Sequence, residues 1–106
     1  MVILLIDNGV LGMVRQWQKI FYAHRFSQTT LKRKIDYVKY AESVGALGIR
    51  LNEGDDEKSV LKKAFEIAEK EHVPVLVDCI ISLDDNVLPM IKPGQSYDSQ
   101  LEKMEE

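Results

Sequence analysis

The sequence predicts an α/β protein: an open parallel sheet in three layers, built from three strands and three helices. Three observations lead there. The apolar runs "VILLI" (2–6), "ALGIRL" (46–51) and "VPVLVDCII" (73–81) have strand length, and the segments between them carry apolar residues at helical spacing. The runs are nearly continuous rather than alternating, as expected of parallel strands covered on both faces. The order strand, helix, helix, strand, helix, strand suits crossover connections between parallel strands.

Residues 2–6 form the first strand. From Leu11 the period changes. Leu11, Val14, Trp17 or Gln18, and Phe21 fall on one side, with Arg15, Gln16 and Lys19 on the other, so a helix is expected to about residue 22. The mixed polar stretch 23–34 reads as a loop. Asp36 is the expected N-cap of a second helix running to about residue 44, with Gly45 as its terminator. The weaker strand 46–51 follows. The turn "NEGDDEK" then places Glu53, Asp55, Asp56 and Glu57 at a helix N-terminus, where acids favour the dipole; that explains them better than a metal cluster does. The helix at about 56–71 has the clearest stripe, Val60, Leu61, Ala64, Ile67 and Ala68, with Lys62, Lys63, Glu66, Glu69 and Lys70 facing water. Residues 73–81 make the third strand. Residues 1–94 are expected to form the folded unit, and 95–106 a polar, mobile tail.

A chain of 106 residues has the size of one small domain, and 45% apolar with 29% charged residues is ordinary for a globular protein. A net charge of −3 gives no electrostatic reason to expect nucleic acid or an anionic membrane as partner. The one basic cluster, Lys32, Arg33 and Lys34, reads as a solvated loop. Cys79 is the single cysteine and lies inside an apolar run, so it reads as a core residue in a reducing compartment. No apolar stretch approaches the roughly 18 residues of a membrane span, and the start lacks the basic region and cleavage site of a signal peptide. His24 and His72 fall at element ends and read as surface residues. Asp78, within a strand, is the costliest charge to bury; it belongs at a strand edge or against a group outside the chain. Three apolar strands exceed what these helices can cover. Together with a strand that starts at once after Met1, this is expected of a segment from a longer protein.

The junction "DNGVLGM" (7–13) carries the candidate chemistry. In open α/β sheets, ligands bind beyond the carboxyl ends of strands and near helix N-termini. Backbone N–H groups from Gly9 to Met13 can meet an anion there, and Gly9 and Gly12 permit close approach. Asn8 and Asp7 offer oxygens of the hard kind that Mg²⁺ accepts, usually together with phosphate oxygens. Local chemistry thus permits a Mg-diphosphate site, although neither a G-x-x-x-x-G-K-[ST] nor a G-x-G-x-x-G is present. Met13 and Trp17, four apart on one helix, serve equally well as core.

The stretches "NGVLGMVRQWQKIFY", "RFSQTTL", "DYVKYAESVGALGIRL", "PVLVDCII" and "NVLPMIKPG" closely resemble, in order, the C-terminal end of acetolactate synthase (acetohydroxyacid synthase) catalytic large subunits. The likeness runs from Ile3 to about Gly94, and "LGMVRQWQ" with "NVLPM" is its most specific part. It implies part of a thiamine diphosphate-binding fold. It further implies that Asn8 gives its side-chain oxygen and Val10 its backbone carbonyl to Mg²⁺. Gly9, Leu11, Gly12 and Met13 would line the diphosphate and thiazolium, and Met13 and Trp17 the substrate channel. The implied reaction condenses pyruvate with a second 2-keto acid, pyruvate or 2-ketobutyrate, on the way to branched-chain amino acids.

The implied partners are the remainder of the catalytic subunit, a homodimer or homotetramer, and a regulatory subunit. FAD is implied elsewhere in the parent enzyme. The setting is cytoplasmic, or a plastid or mitochondrion in a plant or fungal source.

Two departures stand out. The family's closing Asn-Asn is Asp7-Asn8 here, as "DNG" is in sulfopyruvate decarboxylase-like branches, and no Gly-Asp-Gly precedes it. The activating glutamate lies in another domain of the family, so no catalytic residue is expected in this chain and the isolated chain is expected to be inactive. Two rival readings remain: a non-catalytic α/β module that self-associates through its open sheet edge, and another thiamine diphosphate carboligase or decarboxylase.

Overall fold

The structure, a computed structural model, describes residues 1–32 and 34–102. Three parallel strands, β1 (Val2–Asp7), β2 (Leu47–Leu51) and β3 (Val75–Ile80), pair in the order β1-β3-β2. The last strand in sequence is therefore the central one. Val2 stands opposite Val75 and Leu5 opposite Asp78, while Leu47 pairs with Val75 and Arg50 with Asp78.

This register sorts the side chains into two faces. Ile49, Leu51, Val75, Val77, Cys79 and Val2 point to one side, where Ala64, Val60, Ile67 and Ala68 of α3 (Glu57–Glu71) cover them. The helical stripe read from the sequence meets the sheet here, and Cys79 is a core residue. On the other side, α2 (Tyr37–Ser43) presses on β2 at Gly48, where a Cβ would fall 2.7 Å from the Val38 Cα. Asp36 caps α2 as expected, accepting from the Lys39 N–H at 3.2 Å. The three-layer α/β arrangement is thus present, α3 over one face and α2 over the other. Among the described residues, the acids at 53–57 form no metal-holding group; Asp55 instead accepts from the Asn52 N–H, and Asp56 from the Ser59 hydroxyl.

The expectation of strands covered on both faces holds only for β3. Val75 and Val77 are fully buried, but Ile3, Leu4 and Ile6 of β1 are exposed. Helix α1 (Gly12–Phe21) departs further. Its apolar residues Leu11, Met13, Val14 and Trp17 are each about half-exposed, and its buried residue is Gln16, which the helical pattern placed on the water side. Met13 and Trp17 are therefore not core residues of this chain. The radius of gyration is 17.7 Å, against about 13 Å for a compact domain of this length. The accessible surface is 8375 Å², against about 6000 Å² for a folded monomer of this mass. Both the half-exposed apolar residues of β1 and α1 and the mostly exposed segment after β3 contribute to this excess.

Past β3 the chain runs through 81–96 without regular structure, then forms a 3-10 turn at Tyr97–Ser99 and a short bridge between Met90 and Leu101. Residues 103–106 of the expected tail, and Arg33 of the basic cluster, lie outside the described residues; Lys32 and Lys34 are exposed, as are both histidines. No helix of the described residues is long and apolar enough to cross a membrane.

Gly48→Ala tests the seating of α2. Its Cβ meets Val38 backbone rather than a movable side-chain end, so urea unfolding should show a loss of about 1–3 kcal/mol. Val44→Ala, at a position 65% exposed, should stay within about 0.5 kcal/mol of the parent.

Candidate functional site

The carboxyl end of β1 turns sharply. The Gly9 N–H donates to Asp7 Oδ1 at 2.9 Å, and the Val10 N–H donates to Asn8 Oδ1 at 3.1 Å. These two Asx turns reverse the chain within three residues. They need φ near +67° at Gly9, a region glycine enters without strain. A second segment holds the loop from outside: Leu11 N–H donates to the Thr29 carbonyl at 2.8 Å, and Leu31 N–H to the Gly9 carbonyl at 3.1 Å, on either side of a Val10–Thr30 bridge. The sequence expectation of a turn followed by a helix start is met.

The donors available to an anion differ from that expectation. Of the N–H groups from Gly9 to Met13, those of Gly9, Val10 and Leu11 are engaged within the protein. Those of Gly12, Met13 and Val14 open α1, which has no side-chain cap, and they take no partner among the described residues. They are the ordinary orphan donors of a helix N-terminus. The Val10 carbonyl likewise accepts nothing among the described residues. Asn8 Oδ1 accepts one hydrogen bond and keeps a second acceptor position.

Asp7, Asn8 and Gly9 line a cleft of about 500 Å³ at the carboxyl ends of the strands. Val10 is buried beneath the loop, while Leu11, Met13 and Trp17 lie outside that cleft, half-exposed on α1. The structure thus brings Asp7, Asn8 and Gly9 to the cleft wall and sets Met13 and Trp17, the pair expected to face substrate, on the adjoining helix. The hard oxygens, the free helix N-terminus and the open space where a Gly9 Cβ would stand suit a Mg-diphosphate group.

Three charged residues on the cleft wall, Asp36, Arg50 and Asp78, are linked to one another, and pattern reading missed their association. Arg50 of β2 donates to Asp36 Oδ1 from its terminal nitrogen at 2.9 Å and to Asp78 Oδ2 from Nε at 3.4 Å. A lone arginine and a lone aspartate in otherwise apolar strands are the sequence trace of such a pair, but the register that makes them neighbours is not local. Asp78 is 2% exposed and lies in the central strand, not at an edge, and its Oδ1 has no partner among the described residues. Burial, followed by the charge of Asp7, pushes the Asp78 carboxyl above the usual range against the opposing pull of Arg50. Asp36 moves the other way, held down first by the Lys39 N–H and then by Arg50. On the opposite face, burial and the neighbouring Asp78 push the Cys79 thiol up, which suits an inert core residue.

Two glutamines flank Trp17 and pin α1 to its surroundings. Gln18 Nε2 donates to the Ser27 carbonyl at 2.9 Å, and its Oε1 accepts from the Thr29 hydroxyl at 3.0 Å and the Ser27 N–H at 3.3 Å. Gln16 holds the backbone of Val87. Trp17 lies edge-on to Phe21, with ring centroids 6.4 Å apart.

Residues 1–79 match the family described as thiamine pyrophosphate enzyme, C-terminal TPP binding domain. Over 98 residues the chain is 45% identical to an acetolactate synthase of Mycobacterium bovis, covering 89% of this chain and 15% of that protein. It is 39% identical over 106 residues to the acetolactate synthase large subunit of Haemophilus influenzae, covering 99% of this chain and 18% of that protein. To the large subunit of acetolactate synthase isozyme 2 of Escherichia coli it is 35% identical over 102 residues, 96% of this chain and 18% of the relative. The chain therefore spans less than a fifth of the length of these curated relatives.

The folded state keeps the Asp78 proton to higher pH than the unfolded chain does. The stabilisation linked to that proton is whole below the unfolded value and is lost as pH rises through the raised folded value. In urea titrations, the unfolding free energy of the parent minus that of Asp78→Asn should therefore decline from about pH 4 upward. A difference that stays flat to neutral pH would remove burial as the dominant influence on this carboxyl.

Proposed function

The chain belongs to the thiamine pyrophosphate enzymes by their C-terminal TPP binding domain, and on that premise we propose that it provides half of the cofactor site of an acetolactate synthase catalytic subunit. The observation that carries this reading is the loop from Asp7 to Gly12. It sets Asn8 and an uncapped helix N-terminus at the carboxyl end of β1, in a chain whose sequence is 35–45% identical to acetolactate synthases. The resemblance puts a further Mg²⁺ ligand, an aspartate, in a Gly-Asp-Gly that opens the family's motif; the 106 residues contain none, so in this reading that carboxylate comes from outside them.

In this reading Asn8 Oδ1 and the Val10 carbonyl hold Mg²⁺. The Asn8–Val10 hydrogen bond fixes both oxygens relative to each other, and the Thr30 bridge fixes Val10 relative to α1. Gly9, Leu11, Gly12 and Met13 border the diphosphate and thiazolium, with the Gly12 and Met13 N–H groups as donors. Thiamine diphosphate, when bound, supplies the carbanion-stabilising chemistry of the reaction. The protein's part is to bind, orient and exclude water. Met13 and Trp17 present apolar surface to the second 2-keto acid, which is pyruvate for acetolactate and 2-ketobutyrate for acetohydroxybutyrate. The partners are the remainder of the catalytic subunit, in a homodimer or homotetramer, with a regulatory subunit and with FAD held elsewhere. The setting is cytoplasmic. The free edge of β1 favours a second reading, a non-catalytic module that buries this edge against its own copy.

Adding the chain in trans to a catalytic subunit that ends before this segment should restore acetolactate formation from pyruvate, and Asn8→Ala should abolish the restoration. The chain by itself should show no turnover. Calorimetry with thiamine diphosphate and Mg²⁺ should find no binding tighter than about 1 mM. Tighter binding that disappears in Asn8→Ala would show a complete site within the chain and overturn the half-site.

A further inference from the structure

Gln16 is 4% exposed, although it belongs to a helix whose apolar residues are half in solvent. Its amide pairs in both directions with one residue 71 positions away. Nε2 donates to the Val87 carbonyl at 2.9 Å, and the Val87 N–H donates to Oε1 at 2.8 Å. This reproduces with a side chain the exchange of hydrogen bonds that two strand residues make. The Gln16 amide is buried whereas Val87 is exposed, so loss of the pairing leaves the unsatisfied groups on the glutamine side. Arg15 adds an ion pair to Asp84 at 3.6 Å and stacks over the Phe26 ring at 3.9 Å.

With its apolar residues largely outside the core, α1 is seated by these polar clamps. One, at Gln18, ties it to the loop at 27–29. The other, at Gln16, ties it to the segment after β3. Trp17 sits between the two clamped residues. Opening the Gln16 clamp leaves α1 free to pivot on the Gln18 side, and a pivot turns the indole.

We propose that Gln16 is a positioning residue, coupling the seat of residues 84–90 to the orientation of Trp17. On the functional reading above, which this inference deepens, the coupling makes acceptance of the second 2-keto acid depend on how that segment is seated. The coupling itself is independent of that reading, because it lies wholly within the clamp geometry.

Trp17 is the single tryptophan, so the fluorescence of the whole chain reports on it. Gln16→Ala should raise the acrylamide quenching constant by up to about twofold, the range left to a residue 48% exposed, and lower the anisotropy, with the far-UV circular dichroism retained. Val87→Pro, which removes the N–H but keeps the carbonyl that accepts from Gln16, should move both readouts in the same direction by a smaller amount, and the double variant should not exceed Gln16→Ala. Gln16→Glu separates the clamp from general loss of packing. Its ionised carboxylate cannot donate to the Val87 carbonyl, whereas its protonated form can, so quenching should be raised at neutral pH and return to the parent value near pH 4.

A folded Gln16→Ala with unchanged quenching and anisotropy overturns the proposal. If Gln16→Ala does not fold, a pH-independent Gln16→Glu overturns it. A Trp17→Ala change that leaves the choice of second 2-keto acid unaltered in the reconstituted enzyme, with the fluorescence coupling present, refutes the substrate reading and upholds the coupling.

Discussion

The pairing of β3 with both other strands is the constraint from which the rest of the architecture follows. β1 and β2 do not touch; each meets the sheet only through β3. The buried centre of the molecule, Val75, Val77 and Cys79 against Ala64, exists only once β3 lies between them. The same pairing sets the loop that begins at Asp7, because the Ile81 N–H donates to the Asp7 carbonyl at 3.0 Å and closes the carboxyl end of β1. It also brings Asp78 beside Arg50, and through Arg50 to the N-cap of α2. The loop itself is held by its own Asx turns and by the segment around Thr30, whereas its seat on the sheet rests on the distant Ile81–Asp7 contact, which carries the higher loop-closure cost.

Local rules read the elements well where local physics decides them. Asp36 caps α2 and Gly45 follows it in the left-handed region, as their residue types demand. The stripe from Val60 to Ala68 buries against the sheet because one helical face meets three strands. Asp7, Asn8 and Gly9 form the turn their types announce. Local rules fail where the deciding partner is distant. Gln16 was placed among the water-facing residues of α1, yet the backbone of Val87 buries it. Asp78 has no local partner in its strand, and only the register brings Arg50 beside it. The apolar face of α1 is half-exposed because no described element packs over it, and helical spacing alone carries no information about such a partner.

The segment "RQWQ" gains a physical meaning from its alternation. Arg15 and the two glutamines are anchors, each tied to a different part of the chain, and Trp17 is the side chain that they hold. A helix fixed by directional amide bonds has a defined azimuth without a packed core beneath it. Apolar packing resists separation but tolerates rotation more readily; hydrogen bonds of fixed geometry resist rotation. For a helix whose one tryptophan stands half-exposed beside the candidate site, the second kind of restraint gives the ring a defined direction. It also sets the helix with the least buried apolar surface beside the candidate site, while the buried apolar cluster centres on β3.

The outer edge of β1 has a consequence beyond the chain itself. Six residues of nearly uninterrupted apolar strand end there with no neighbour among the described residues, and Asp7 is the only charge along them. Such an edge is a template for any extended segment that meets it, cognate or not. In a cell, the fate of this polypeptide is therefore a matter of supply and timing. Covered, that edge is one more ladder of the sheet; left open, it makes the tendency of the polypeptide to pair with itself rise with its concentration.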